Sequence, residues 1–237
     1  MTDANAASSS FEAFLEGWMV RQKDYLDELV SAQQRRHEMH DDERRDLISR
    51  VLSHYEQYFA EKSKIAHRDI LLVFSPPWFS SLERSFLWIA GFKPTMMIQL
   101  AIQALDDDLS EDQRQRLSEF SQETKMEERA LNDELAKIHE SVAAPPLVEA
   151  ARSHGRLCLS ESVIAEESGG GEVRRALKIA LENLVGNADT LRIDTALKVM
   201  KILKPYQAVN ALIAVAELQI KIRTSGTEND AHGGGGG

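Results

Sequence analysis

HYEQYFAEKSKIAHRDILLVFSPPWFSSLERSFLWIAGFKP, residues 54–94, decides the fold. Its opening aromatics Tyr55, Tyr58 and Phe59 extend a helical stripe begun by Leu47, Ile48, Val51 and Leu52. A helix is predicted from just after Asp41 and Asp42, whose carboxylates suit the positive end of its dipole, to about Lys64. Ser75-Pro76-Pro77-Trp78 then leaves helical geometry, because each proline lacks an amide donor and pushes the residue before it toward extended backbone. A short apolar helix is expected from Leu82 to Ile89, broken by Gly91 and Pro94 before another apolar run, Met96 to Leu105. Nothing in the chain alternates apolar and polar with a period of two, so the reading is all-α: an irregular multi-helix bundle of about seven to nine helices and no sheet.

The same period extends outward. Phe11, Phe14, Leu15, Trp18, Tyr25, Leu26 and Leu29 share one face of a long first helix, with Ser10 placed as its N-cap. Downstream, Ser110 opens a polar helix to about Val142, with Leu117, Phe120, Leu131, Leu135 and Ile138 as its sparse apolar stripe. Pro145 and Pro146 break it, and residues 143–171, ending in three glycines, are read as a flexible internal linker. Helical spacing resumes through Leu177, Leu181, Leu184, Ala188, Leu191, Thr195 and Ile202. After a turn at Pro205 it returns through Ala208, Ala211, Leu212, Val215 and Ile222, as a helical hairpin. Residues 1–10 and 224–237, small, polar or glycine-rich, are expected to be disordered, leaving 11–223 as the folded domain.

Composition narrows the function. A chain of 237 residues with 43% hydrophobic and 28% charged residues can bury a core without disulfides or metals. The net charge of -10, from 38 acidic against 28 basic residues, argues against a sequence-independent grip on phosphates. The lone Cys158 forms no internal disulfide and the N-terminus lacks a secretory pattern, which points to cytosol or nucleus. The most apolar stretch, Phe86 to Leu105, is interrupted by Gly91, Lys93 and Pro94, so no membrane span is expected. Catalysis is not indicated: there is no Gly-x-Ser-x-Gly elbow, and Gly169 to Gly171 follow no strand and precede no Gly-Lys-Ser or Gly-Lys-Thr. His37 and His40 have the spacing of a two-imidazole metal site, but read as a solvated helix end.

Three stretches in order resemble the Delay of Germination family, whose domain also forms the C-terminal half of the TGA-class bZIP transcription factors. They are Phe11 to Leu29; the block from His54 to Phe92, containing Glu83-Arg84-Ser85-Phe86-Leu87-Trp88-Ile89-Ala90-Gly91-Phe92; and the C-terminal helices. The last begin at Ala188-Asp189-Thr190-Leu191-Arg192 and carry Gln207, Ala208, Leu212, Ala214 and Glu217 in the family spacing. The resemblance covers most of residues 11–223. It implies a non-enzymatic plant regulator of the seed-dormancy type, working through protein–protein interaction in developmental or hormone signalling and transcriptional regulation, in nucleus and cytoplasm.

The partners so implied are regulatory phosphatases or bZIP factors, and a homodimer stays open. DNA is expected only indirectly, because a bZIP basic region is an Arg- and Lys-rich helix and just ten small polar residues precede the first helix here. Haem, attributed to a family member through a C-terminal histidine pair, is not carried over, since Ala208 to Arg223 contains no histidine. No cofactor is expected. Two alternatives stay open: a transcription-associated module contacting DNA directly or through a bZIP partner, and a helical sensor holding a lipid or haem, for which Met96 to Leu105 would line the site.

Phe14, Leu15 and Trp18 are the candidate partner-binding face, as aromatic anchors of a helix laid in a groove. The family motif assigns structural roles to Trp78, Glu83, Arg84, Phe86, Leu87, Trp88, Gly91, Phe92, Asp189, Leu191, Arg192, Gln207 and Glu217. Among them Phe86 and Trp88 are expected in the core, and Glu83 and Arg84 to fix a loop through paired hydrogen bonds. Spacing alone makes Asp189 and Arg192 a surface pair worth about 0.2–0.5 kcal/mol.

Overall fold

The computed structural model describes residues 3–143 and 170–233. Among them run eight helices: α1 (Asp3–Gln34), α2 (Asp41–Arg68), α3 (Ile70–Phe74), α4 (Ser81–Ser85), α5 (Pro94–Ala104), α6 (Glu111–Ala143), α7 (Gly170–Ile202) and α8 (Pro205–Gly233). The fold is all-α; the described residues hold no strand, only an isolated bridge between Trp88 and Gly91.

The apolar stripes read from the sequence meet in two clusters. One joins Leu29, Val51, Ile98, Leu117, Val199 and Leu212, so α1, α2, α5, α6, α7 and α8 all contribute. The other gathers Phe11, Trp18, Ile70, Trp78, Leu181 and Leu184 at the opposite end of the long helices. Each fully buried aliphatic or aromatic side chain of this kind stabilises the fold by about 1.5–3 kcal/mol relative to exposure. Between α6 and the α7–α8 turn the filling is polar: Gln113 Nε2 donates to Gln207 Oε1 at 2.8 Å and to Ile202 O at 2.9 Å. Gln207 Oε1 also accepts from Lys204 N at 2.8 Å, and its Nε2 donates to Asp108 O at 2.6 Å. These amides satisfy carbonyl and amide groups that the helix ends leave open.

Several boundaries differ from the sequence reading. α1 starts at Asp3, so Ser10 lies inside it and is no N-cap; Phe11, packed on Trp78 at 4.7 Å, anchors a helix that then extends at one hydrogen bond per residue. α2 runs on to Arg68, where Asp69 accepts from Leu71 N at 3.1 Å and caps α3. The expected helix from Leu82 to Ile89 ends at Ser85, for a reason given below. α8 continues through the region read as a disordered tail, tied to α4 by its own polar groups. Ser81 N donates to Asp230 Oδ2 at 3.1 Å, and Gly226 passes so near Ser80 that a Cβ would come within 2.0 Å of its Oγ. Of the expected linker at 143–171, residues 143, 170 and 171 are helical and the rest lies outside the described residues, as does Cys158. No helix among the described residues is long and apolar enough to cross a membrane.

Candidate functional site: a clasped turn and the cavity beside it

After α4 the chain makes a tight reversal. Trp88 N donates to Gly91 O at 2.6 Å and Gly91 N to Trp88 O at 3.2 Å, with Ile89 and Ala90 at φ of 43° and 58°. Neither residue is a glycine, and a left-handed backbone costs on the order of 1–3 kcal/mol at each such position, more at a β-branched one. Helix geometry therefore stops at Ser85 although the apolar pattern runs on.

Two cations from distant helices hold the reversal. Arg192 of α7 donates from Nε to Phe92 O at 2.8 Å and from Nη2 to Trp88 O at 2.5 Å and Ile89 O at 3.0 Å. Lys62 of α2 donates to Ala90 O at 2.9 Å. Both also converge on one acceptor, Asp189 Oδ1, each at 2.6 Å. The rigid, planar guanidinium fork is what allows one side chain to reach three carbonyls and a carboxylate together. Asp189 and Arg192 are only 8% and 9% exposed, so the pair expected at the surface is an interior one. Burial, with Arg192 adding repulsion against the pull of Asp189, lowers the Lys62 ammonium to about 8.

Gly91 fits because it has no side chain: a Cβ there would lie 2.8 Å from Arg192 Cζ. Gly91→Ala is accordingly expected to destabilise by about 1–3 kcal/mol, since the guanidinium must leave its carbonyls, and urea unfolding followed by tryptophan fluorescence measures it.

A second fastening secures the loop before α4. Glu83 accepts from Ser80 N at 2.7 Å and pairs with Arg223 of α8 at 3.1 Å, while Arg223 also donates to Trp78 O at 2.7 Å. Arg84 donates to Phe79 O at 2.6 Å. Glu83 and Arg84 thus both fix the 76–83 loop, but Glu83 does so across the fold.

Between α2, the reversal, α5, α7 and α8 lies a cavity of about 190 Å³. Leu52, Phe59, Met96, Met97, Leu218 and Ile222 give it apolar walls, Leu87 and Phe92 come from the reversal, and Lys62 and Arg192 stand on one side. Among the described residues, no histidine or cysteine lines it. An apolar space with a few convergent polar groups is the usual form of a small-molecule site.

Next to the cavity, α1 docks on α2 through Trp18. Its ring stacks on His54 at 4.3 Å and 6°, and its Nε1 donates to His54 O at 2.9 Å. With Trp18 0% exposed, Leu15 buried and Phe14 half-buried, the face expected to receive a partner is spent inside the chain. Burial, together with the charge of Arg21, lowers the His54 imidazole to about 4, and its Nε2 has no hydrogen-bond partner among the described residues. The native state therefore resists a proton that the unfolded chain takes up near pH 6.5. Stability is expected to fall as pH drops from 6.5 to about 4, by up to about 3 kcal/mol from this group. His54→Phe, which keeps the stack on Trp18, should flatten that part of the pH profile in thermal unfolding.

The remaining motif residues divide. Trp78 and Leu191 are buried and Trp88 is half-buried, its Nε1 donating to Asn132 Oδ1 at 2.8 Å. Phe86, expected in the core, is 38% exposed and meets Phe92 edge-on at 6.4 Å, because the chain leaves the helix just before it. Glu217 is exposed. His37 and His40 sit exposed at the α1–α2 turn, and no group of three His, Cys, Asp or Glu among the described residues is placed to hold a metal ion. Sequence reasoning missed Lys62 and Arg223. A signal for the first was present: Lys62 continues the stripe of Tyr55, Tyr58 and Phe59 by one further helical turn.

Fold and site together define an all-helical module with an apolar cavity beside a clasped turn. The chain belongs to the seed dormancy control family (DOG1), whose model matches residues 25–103. It is 32% identical to Protein RESPONSE TO ABA AND SALT 1 of Arabidopsis thaliana, over 92% of this chain and 95% of that protein. Protein ZW2 of the same plant is 35% identical over 93% and 98%. Transcription factor TGA2.3 of Oryza sativa subsp. japonica is 28% identical over 90% of this chain and 63% of its own length. These relatives make the chain a plant regulatory protein associated with transcription, of a group of non-enzymatic regulators.

Proposed function

We propose that this protein is an adaptor in plant developmental or hormone signalling, acting in nucleus and cytoplasm by binding bZIP transcription factors or regulatory phosphatases. The observation that carries the reading is similarity over nearly the whole length of regulators of one family, one of them named for its response to ABA and salt, and over the matching part of TGA factors. An excess of acidic residues supports indirect rather than direct association with DNA.

Because the Trp18 face is buried, the test uses exposed apolar positions instead. Tagged protein, and variants Val20→Asp and Ile179→Asp, are used for affinity capture from plant nuclear and cytosolic extracts with mass spectrometry. Enrichment of bZIP factors or phosphatases over control, lost in a folded variant, supports the adaptor. Binding of a bare duplex with a steep salt dependence, and no enriched regulator, replaces it with direct DNA contact.

The cavity favours a second reading, in which the module also holds an apolar small molecule between α2, α5, α7 and α8. Native mass spectrometry of protein purified from plant tissue tests it: a discrete added mass that disappears on Leu218→Trp, which fills the space, supports it, and an unliganded mass refutes it.

A further inference from the structure

Lys62 is an uncommon group to find in the wall of an apolar cavity, and the clasp around it has more positive than negative charge. Asp189 is shared by two cations, so Arg192 alone can neutralise it if Lys62 gives up its proton. The amine that results has no long-range obligation left except its bond to Ala90 O.

We infer that Lys62 is a carbonyl-capturing residue, forming a reversible imine with an elongated apolar aldehyde that enters the cavity beside it. The inference rests on the reading of that cavity as a small-molecule site. The neutral amine attacks the carbonyl carbon and gives a carbinolamine. Loss of the former carbonyl oxygen with two hydrogens, as water, leaves a carbon–nitrogen double bond, and nothing is oxidised or reduced.

The surroundings suit each stage. Desolvation and the neighbouring guanidinium favour the neutral nucleophile, as in buried reactive lysines generally. Once formed, a protonated imine keeps one N–H, which can return to Asp189 Oδ1 in the place the ammonium held, so the counter-ion needed for its stability is already present. The apolar walls around Phe59 and Met97 match the chain of the aldehyde. An acyl donor would leave a neutral amide there and forfeit the charge that pairs with Asp189, so the geometry favours an aldehyde over an ester.

Nonanal serves as the probe. The intact protein is incubated with it at pH 8, reduced with cyanoborohydride, digested and mapped by mass spectrometry. Alkylation at Lys62 is expected to exceed that at the exposed neighbour Lys64 by about tenfold, because the cavity gathers the apolar aldehyde beside Lys62 and not beside Lys64. Nonan-1-ol in excess should suppress labelling at Lys62 and leave Lys64 unchanged. Lys62→Arg, which keeps the charge, should lose the cavity adduct, and in the unsubstituted protein nonan-1-ol should displace 1-aminoanthracene, read by its fluorescence. If nonan-1-ol displaces the dye while Lys62 is labelled no more than Lys64, imine capture is overturned and the cavity reading stands. If neither nonanal nor nonan-1-ol displaces the dye, the cavity reading itself fails and the capture falls with it.

Discussion

Asp189→Ala is expected to lower the unfolding free energy by about 3–5 kcal/mol, because it leaves two buried cations without their shared carboxylate. Lys62 and Arg192 would then face each other across the strained reversal, and the carbonyls of Trp88, Ile89, Ala90 and Phe92 would lose firm donors as the two cations moved apart or drew in water. The loss comes from stranded charge rather than from the worth of the pair itself, which a second variant separates. Lys62→Met with Asp189→Leu removes one cation and the anion together and should recover part of the loss, since an apolar replacement of a buried ion pair is often neutral. Urea unfolding of the three proteins, with near-ultraviolet circular dichroism reporting on Trp88, measures both effects. A loss below about 1 kcal/mol for Asp189→Ala would show the cluster to be solvated, as surface pairs are.

Trp18→Ala should cost about 3–5 kcal/mol, the range for truncating a fully buried aromatic. The substitution removes a ring stacked on His54 and edge-on to Tyr55 at 5.6 Å, and it takes away the side-chain donor that the carbonyl of His54 receives besides its own helix. Trp18→Phe retains most of the packing and should lose distinctly less. These outcomes also separate two roles for α1: a docking face would leave stability untouched and abolish partner capture, whereas a core anchor lowers the melting temperature whatever the partner. Thermal unfolding and affinity capture on the same preparations decide between them.

The helical period was enough to place six of the eight helices among the described residues, because each long element writes its buried face at intervals of three and four residues. The break at Pro76-Pro77 was equally plain, since it follows from the chemistry of proline alone. What could not be read is where the pattern continues and the helix does not. Phe86, Leu87 and Ile89 follow one another as a helical stripe would, yet the chain turns there because Arg192 offers three hydrogen bonds from a position about a hundred residues away. The same holds for Asp189 and Arg192: their spacing describes a surface pair until Lys62 is brought against them. The polar residues after Thr224 looked unable to compensate the entropy of ordering, but Arg223 and Asp230 meet α4 and extend the helix. The family motif had marked Gly91, Asp189 and Arg192 without revealing Lys62 as their partner.

Asp189 and Arg192 stand on the far side of residues 144–169 from Lys62 and the reversal they grip. Much of what unites the two stretches is therefore non-covalent: the clasp, the Glu83–Arg223 pair, the glutamine amides and the meeting of α6 with α7. The stretch before residue 144 and the stretch after residue 169 thus hold each other as two partners would, with Asp189 as the point on which their union turns.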